Sequence, residues 1–144
     1  MSNIIAVIWD FDKTLVDGYM QDPIFEKYNV DAKKFWAEVN ALPEEYKKQG
    51  VKVNPDTIYL NHFIKYAKDG KFKGFGKKLK FYKGIPEIFK KTQSITQTKK
   101  YESYNIKVEH YIVSTGMSQI IRGSCVNDYV KEIWGCELIE GMDD

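Results

Sequence analysis

The feature that most constrains this chain is an apolar segment, Ile4 to Trp9, that ends directly at Asp10 and Asp12. The segment is short, rich in β-branched residues and without polar alternation, which is typical of a parallel strand buried on both faces. Residues two apart on a strand point to the same side. Because ligands of open α/β sheets bind beyond the carboxyl ends of the strands, the spacing directs two carboxylates towards that position.

The segment that follows, residues 19 to 79, is expected to form helices joined by short loops. Three helix-start signals precede apolar residues at helical spacing. Two of them are an N-cap residue followed by proline and one is an aspartate alone: Asp22-Pro23, Asn54-Pro55 and Asp31. The lysine- and glycine-rich stretch from Lys68 to Lys80 is expected to be a loop.

The remaining residues favour two further strands and two helices. In chain order we expect a helix opening at Gly84, a strand over 108 to 113, a helix over 117 to 122 and a strand over 133 to 139. Together with the first strand this order predicts an α/β fold, an incomplete Rossmann-like parallel sheet of about three strands with a helical insertion.

Composition excludes several classes of protein. The 144 residues suit about one domain, and the 43% hydrophobic fraction is that of a globular chain. A net charge of +2 gives no case for a nucleic-acid partner. The Ile4 to Trp9 run is neither a signal peptide nor a membrane span, so a cytoplasmic location without a membrane partner is expected. Cys125 and Cys136 lack the spacing of a zinc site.

The two aspartates suit phosphoryl chemistry. Two carboxylates held close together repel each other, and a hard cation such as Mg²⁺ relieves the repulsion while also binding phosphate. One carboxylate can attack phosphorus, and the other can transfer a proton to the leaving group. The alternative is that both aspartates cap a turn after the strand, which the tripeptide alone does not exclude.

The longer string Asp10-Phe11-Asp12-Lys13-Thr14-Leu15-Val16-Asp17-Gly18 resembles the first motif of the haloacid dehalogenase superfamily, in its phosphatase branch. The resemblance implies that Asp10 is the nucleophile, Asp12 the general acid/base and Thr14 a phosphate-binding residue. It also implies that the Asp10 carboxylate and the Asp12 backbone carbonyl hold Mg²⁺. The expected substrate is a small phosphorylated metabolite.

A second segment, Ile112-Val113-Ser114-Thr115-Gly116, is similar to the strand that ends in Ser or Thr in the same family. The resemblance implies that Ser114 binds a phosphoryl oxygen, together with the amides of Thr115 and Gly116 at the start of a helix. The alternative is a simple turn from strand to helix in which Ser114 is the N-cap.

The position of the helical block matches a cap domain of the phosphoserine-phosphatase type. We therefore expect a cap over residues 18–80 and a core formed by residues 1–17 and 81–144. Aromatic residues of the block could face a substrate or form the core of the cap, and the second is favoured: Phe35, Trp36, Tyr59, Phe63 and Tyr66. A lysine cluster is expected to be a solvated loop rather than a substrate site: Lys71, Lys73, Lys77, Lys78 and Lys80.

The resemblance also implies a lysine or arginine after the third strand and an acidic pair after a fourth. Lys131 precedes the third expected strand, and Asp143-Asp144 follow it without a further helix and strand, so neither is assigned. We therefore expect a truncated form of a longer phosphohydrolase with low or no activity by itself.

In that family a fourth strand pairs beside the first. Without it the Ile4 to Trp9 strand has an open apolar edge, which we expect to be covered by another copy of the chain, a swapped segment or a rearranged terminus. Two other functions stay open, a catalytically inactive remnant of the family that serves as a binding or interaction module, and a phosphoacceptor signalling domain. The large insertion directly after Asp10 argues against the signalling domain.

Overall fold

The computed structural model describes residues 3–66 and 72–139. Three strands, β1 (Asn3–Trp9), β2 (Ile106–Met117) and β3 (Glu132–Cys136), form a parallel sheet in the order β1-β2-β3. The predicted α/β class with a parallel sheet is confirmed. The strand predicted over 108 to 113 is longer than expected, because it continues to Met117.

Within the described residues, four α-helices lie between β1 and β2 along the chain, and a fifth lies between β2 and β3. The α-helices are α1 (Asp22–Tyr28), α2 (Ala32–Lys48), α3 (Ile58–Phe63), α4 (Glu87–Ile95) and α5 (Ser118–Arg122). Short 3₁₀ helices cover Phe72–Lys78, Glu102–Tyr104 and Asn127–Tyr129. Asp31 caps α2 as its sequence predicts, since its Oδ1 accepts a hydrogen bond from the Lys34 amide at 3.1 Å.

The described residues divide into two compact units, residues 3–20 with 72–139, and residues 21–66. The sequence placed the boundaries at 17/18 and 80/81, and residues 72–80 lie instead with the first unit. The Phe72–Lys78 helix packs against α5, where a Cβ at Gly76 would overlap the Gly123 backbone. The expected loop is therefore wrong for residues 72–78, and Lys71 lies outside the described residues.

The second unit has an aromatic core of its own. Phe25, Phe35 and Phe63 are buried. The ring centroid of Phe35 lies 4.9 Å from that of Phe25 and 6.1 Å from that of Phe63. Trp36 contacts Phe35 at 5.2 Å and Tyr59 at 5.6 Å. Most of the aromatic residues thus pack on one another, which confirms the favoured interpretation.

One face of the sheet carries the core of the first unit. Ile112 of β2 and its neighbour Ile133 of β3 are buried, and Phe89 of α4 packs on Trp9 and His110 at centroid distances of 5.4 and 4.9 Å. This layer follows from the alternation of side chains along each strand.

The expectation that β1 is buried on both faces is wrong for the described residues. Ile4, Ile5 and Ile8 are 54%, 50% and 64% exposed, although the strand itself forms as predicted. Apolar composition determines the strand, whereas burial needs a second layer, and within residues 3–66 and 72–139 none covers Ile4 and Ile8.

Backbone hydrogen bonds join the two parts of the first unit that precede and follow the second unit along the chain. Val16 forms an antiparallel bridge with Phe81. The Asp17 amide donates to the Lys80 carbonyl at 2.8 Å, and the Tyr82 amide donates to the Leu15 carbonyl at 3.1 Å. These bonds lie within the first unit, which the chain leaves after residue 20 and re-enters at residue 72, so they join the two parts of that unit.

Candidate active site

The chain turns tightly after β1 and exposes Asp10. Phe11 and Leu15 are fully buried, and the Leu15 amide donates to the Phe11 carbonyl at 2.9 Å. Lys13 adopts a left-handed conformation with φ of 58°, and its amide donates to Gly18 at 3.1 Å. These two buried side chains anchor the turn and with it the polar residues that it carries.

Asp10 is an exposed carboxylate oriented by a neighbouring hydroxyl. Thr14 Oγ1 donates to Asp10 Oδ2 at 2.6 Å. A charge-assisted hydrogen bond of this length restricts the rotation of the carboxylate. Of the predicted site residues, Asp10 and Thr14 are therefore in direct contact.

Asp12 is half-buried and held by the backbone further along the chain. Its Oδ1 accepts a hydrogen bond from the Met20 amide at 2.8 Å. Asp12 also forms an isolated bridge with Val16, which keeps residues 12 to 16 compact. The second carboxylate is thus part of the turn and fixed relative to the first.

The end of β2 differs from the predicted strand-to-helix turn. The Gly116 amide donates to Ser114 Oγ at 3.0 Å, and α5 begins only at Ser118 with Met117 as its N-cap residue. The expectation that the amides of Thr115 and Gly116 open a helix is wrong, as is the N-cap alternative for Ser114. The reason is that Met117 still pairs with Cys136 of β3, after an irregularity in the register between Val113 and Met117, so that β2 continues past Ser114.

Met20 joins the two predicted motifs. It is fully buried, its amide binds Asp12, and its Sδ accepts a hydrogen bond from the Met117 amide at 3.1 Å. Gly116 accommodates it, since a Cβ there would overlap the thioether. Sequence reasoning missed Met20, because an isolated methionine carries no local signal for such a bridge.

Asp10 and Ser114 lie at the same edge of the sheet. Trp9 pairs with Ile112 in the parallel register, so Asp10 follows the end of β1 beside the part of β2 that contains Ser114, while β2 itself continues to Met117. Parallel strand ends of this kind form the ligand-binding edge of α/β sheets. The backbone thus places the first motif beside the segment that contains Ser114.

The aspartates suit Mg²⁺ in chemistry but supply few ligands. Both offer carboxylate oxygen, and Mg²⁺ in phosphoryl-transfer sites takes one or two carboxylates and keeps several waters. Within residues 3–66 and 72–139, no group of three His, Cys, Asp or Glu side chains could hold a metal. Asp143 and Asp144 lie outside the described residues.

A second polar cluster lies on β2, several residues before Ser114. Glu109 is buried, and its carboxylate accepts hydrogen bonds from the Tyr111 hydroxyl at 2.6 Å and from Lys131 Nζ at 2.9 Å. The Tyr111 hydroxyl, followed by the Lys131 ammonium, lowers the pKa of Glu109 to about 2. Lys131 thus has a structural partner, and the sequence had not singled out Glu109.

His110 points to the opposite face and is neutral. Trp9 Nε1 donates to its Nδ1 at 3.1 Å, and its Nε2 lies 2.8 Å from Thr92 Oγ1, whose hydroxyl donates to the Ile88 carbonyl. Nδ1 is therefore an acceptor and Nε2 carries the proton. Burial lowers the pKa of His110, against a smaller opposing effect of a backbone hydrogen bond at Phe89.

Fold and site define a parallel α/β protein with a carboxylate pair at the end of its first strand. No family model matches the chain. The chain is 40% identical over 147 residues to an uncharacterized protein of Borreliella burgdorferi, in an alignment that covers 96% of this chain and 51% of that protein. The chain thus spans about half the length of the curated relative it matches. No helix among the described residues is long and apolar enough to cross a membrane.

Proposed function

We propose that this chain carries the nucleophile half of a Mg²⁺-dependent phosphohydrolase of the haloacid dehalogenase type. The observation that carries the proposal is the exposed Asp10 carboxylate, which Thr14 holds at the end of β1, next to the segment of β2 that bears Ser114. The substrate proposed is a small phosphorylated metabolite, which fits a cytoplasmic location.

In the proposed reaction, an Asp10 carboxylate oxygen attacks phosphorus and the bond from phosphorus to the leaving oxygen breaks. Asp12 gives its proton to that oxygen, and it later takes a proton from the water that cleaves the aspartyl-phosphate. Ser114 donates a hydrogen bond to a phosphoryl oxygen, while the single Thr14 hydroxyl proton stays on Asp10. Mg²⁺, held by the Asp10 carboxylate and the Asp12 carbonyl, would neutralise charge on the phosphoryl group.

The hydrogen bond from Thr14 to Asp10 supports this assignment. A carboxylate that attacks phosphorus must present one oxygen in line with the leaving group, and restricting its rotation favours that geometry. The Met20 bridge supports it further, because it fixes Asp12 and the end of β2 relative to each other.

The test uses beryllofluoride, a phosphoryl mimic that binds to aspartate. We expect Mg²⁺-dependent ¹⁹F NMR signals of a bound complex with the unmodified chain, and no such signals with Asp10→Asn. Asp17→Asn is the matched control, because Asp17 is an exposed aspartate of the same turn. Binding retained in Asp10→Asn would refute the nucleophile assignment.

Turnover is measured in parallel as phosphate release from small phosphoesters, in Mg²⁺ and in EDTA. We expect low release from the chain alone, because the charge-balancing lysine and the second acidic pair that the resemblance implies are not assigned in it. Rates as high as those of an efficient phosphatase would contradict this expectation.

A second candidate is an interaction module that keeps the fold without turnover. The observation in its favour is the apolar surface of the sheet, where Ile8 is 64% and Trp134 51% exposed. Beryllofluoride binding without any phosphate release in Mg²⁺ would favour this candidate, provided that release is also absent after addition of a polypeptide that carries the missing lysine and acidic pair.

A further inference from the structure

A short ordered segment, residues 72–83, holds a large share of the positive charge of this chain. We call it the basic segment. It contains no acidic residue and five lysines, which are Lys73, Lys77, Lys78, Lys80 and Lys83. The remaining residues contain 17 of the 22 basic side chains and all 20 acidic ones. The small net charge therefore conceals a basic segment in an otherwise acidic chain, and segregated charge of this kind indicates an anionic partner.

The backbone of the basic segment is fixed although its lysines are exposed. Phe72 and Phe75 are buried, and the helix that they anchor lies so close to α5 that a Cβ at Gly76 would overlap the α5 backbone. Farther along the segment, the Tyr82 amide donates to the Leu15 carbonyl at 3.1 Å. Because the backbone is already ordered, an anion that binds the lysines costs little additional conformational entropy.

Neighbouring carboxylates do not neutralise the lysines. Among residues 3–66 and 72–139, no ion pair joins any of the five to an acidic side chain, and α5, which packs on the helix, has no acidic residue. The carboxylates that border the segment in sequence or in backbone pairing are fewer than its lysines: Asp17, Asp69 and Glu87. Lys73 and Lys77 are about 8 Å apart along a 3₁₀ helix, close to the Debye length of about 8 Å at physiological salt. Their repulsion is thus only partly screened, and a bound anion would relieve it.

An exposed aromatic ring in the basic segment indicates which anion fits. Phe81 forms the bridge with Val16, and its ring lies edge-on to that of the buried Phe11 at a centroid distance of 6.1 Å, so it faces the core. Side chains of extended backbone alternate, which places Lys80 and Tyr82 on the outer side, where Tyr82 is 42% exposed. Single-stranded nucleic acid uses these two groups, an ammonium for phosphate and a ring for stacking with an unpaired base.

We infer that the basic segment binds single-stranded nucleic acid, with its lysines on phosphates and Tyr82 stacked on a base. An anionic membrane is the competing partner for a basic surface, and it binds amphipathic helices through an apolar face that enters the lipid. The apolar side chains of this helix, Phe72 and Phe75, are already buried in the first unit, which favours nucleic acid. The inference does not depend on phosphatase activity.

The experiment measures fluorescence anisotropy of labelled oligothymidylate and oligouridylate of about 20 nucleotides, a length that exceeds common site sizes. We expect binding whose log–log dependence on salt between about 50 and 200 mM has a slope of about −2 to −3.5, since each neutralised phosphate of a single strand contributes about −0.7. Replacing Lys77 and Lys78 together by glutamine should make the slope shallower by about 1.4. Tyr82→Leu should weaken binding at least about fivefold and leave the slope unchanged, because stacking involves no phosphate.

The matched control replaces Lys47 and Lys48 by glutamine, because these adjacent lysines at the end of α2 lie in the second unit and carry the same charge. Circular dichroism establishes that each variant is folded, and the control should bind as the unmodified chain does. Absence of oligonucleotide binding would overturn the inference, as would an equal loss in the control or unchanged affinity in Tyr82→Leu. Binding to vesicles of phosphatidylserine and phosphatidylcholine without binding to either oligonucleotide would overturn it in favour of a membrane.

Discussion

Replacing Gly116 by alanine tests whether Met20 locks the two motifs together. The added Cβ would lie 2.5 Å from Met20 Sδ, well inside the separation of about 3.5–4.0 Å at which nonbonded atoms attract. Overpacking of this kind costs about 1–3 kcal/mol. In a background that lacks the thioether, the same substitution should be neutral or stabilising by about 0.5–1 kcal/mol, because alanine suits a strand better than glycine.

The assay is a double-mutant cycle of Gly116→Ala and Met20→Ala, with the free energy of unfolding measured in urea. Met20→Ala alone should cost about 2–5 kcal/mol, which a domain stable by about 5–15 kcal/mol tolerates. We expect a coupling energy of about 1–3 kcal/mol. Gly74→Ala is the control, since a Cβ there meets nothing within 4 Å. Equal destabilisation by Gly116→Ala in both backgrounds would refute the packing argument.

Two predictions concern pH. Burial holds the pKa of His110 below its usual 6.5, so the unfolded state binds more protons and the free energy of unfolding should fall as the pH drops below about 6.5. In His110→Gln, the free energy of unfolding measured in urea should depend less on pH in that range. An unchanged pH dependence would contradict the neutral assignment. Tyr111 and Lys131 lower the pKa of Glu109 to about 2, so the contribution of Glu109 to stability is present above pH 4.5 and is lost as the pH falls towards 2. Glu109→Gln should remove this loss of stability in acid. An identical acid unfolding transition in the wild type and the variant would contradict the role of Glu109.

Features with a local cause were predictable from the sequence. The apolar run of β1 and the N-cap Asp31 each depend on a few neighbouring residues, and both form as expected. The position of Asp10 at a strand end follows in the same way, because its neighbours determine where the strand stops. The backbone placement of the Ser114 segment beside the end of β1 follows from parallel pairing, which the order of elements already indicated.

Features with a distant cause were not predictable. The extension of β2 to Met117 depends on its register with β3 and on Met20, which is 97 residues away from Met117 along the chain. The ordered Phe72–Lys78 helix depends on a close approach to α5 at Gly123, which its lysine-rich composition conceals. The exposure of Ile8 depends on what covers the sheet, and an apolar sequence carries no information about that.

The pairing of Val16 with Phe81 has a consequence for how this architecture can change. It holds the two ends of a long excursion, residues 17 and 80, at neighbouring backbone positions. Residues 18–20 and 72–80 still belong to the first unit, and the second unit, residues 21–66, lies between them. Because the entropy of closing a loop rises only slowly with its length, a second unit of different size can be accommodated there at little cost to the first. The second unit can therefore diversify in sequence and size while the carboxylates at the end of β1 stay in place.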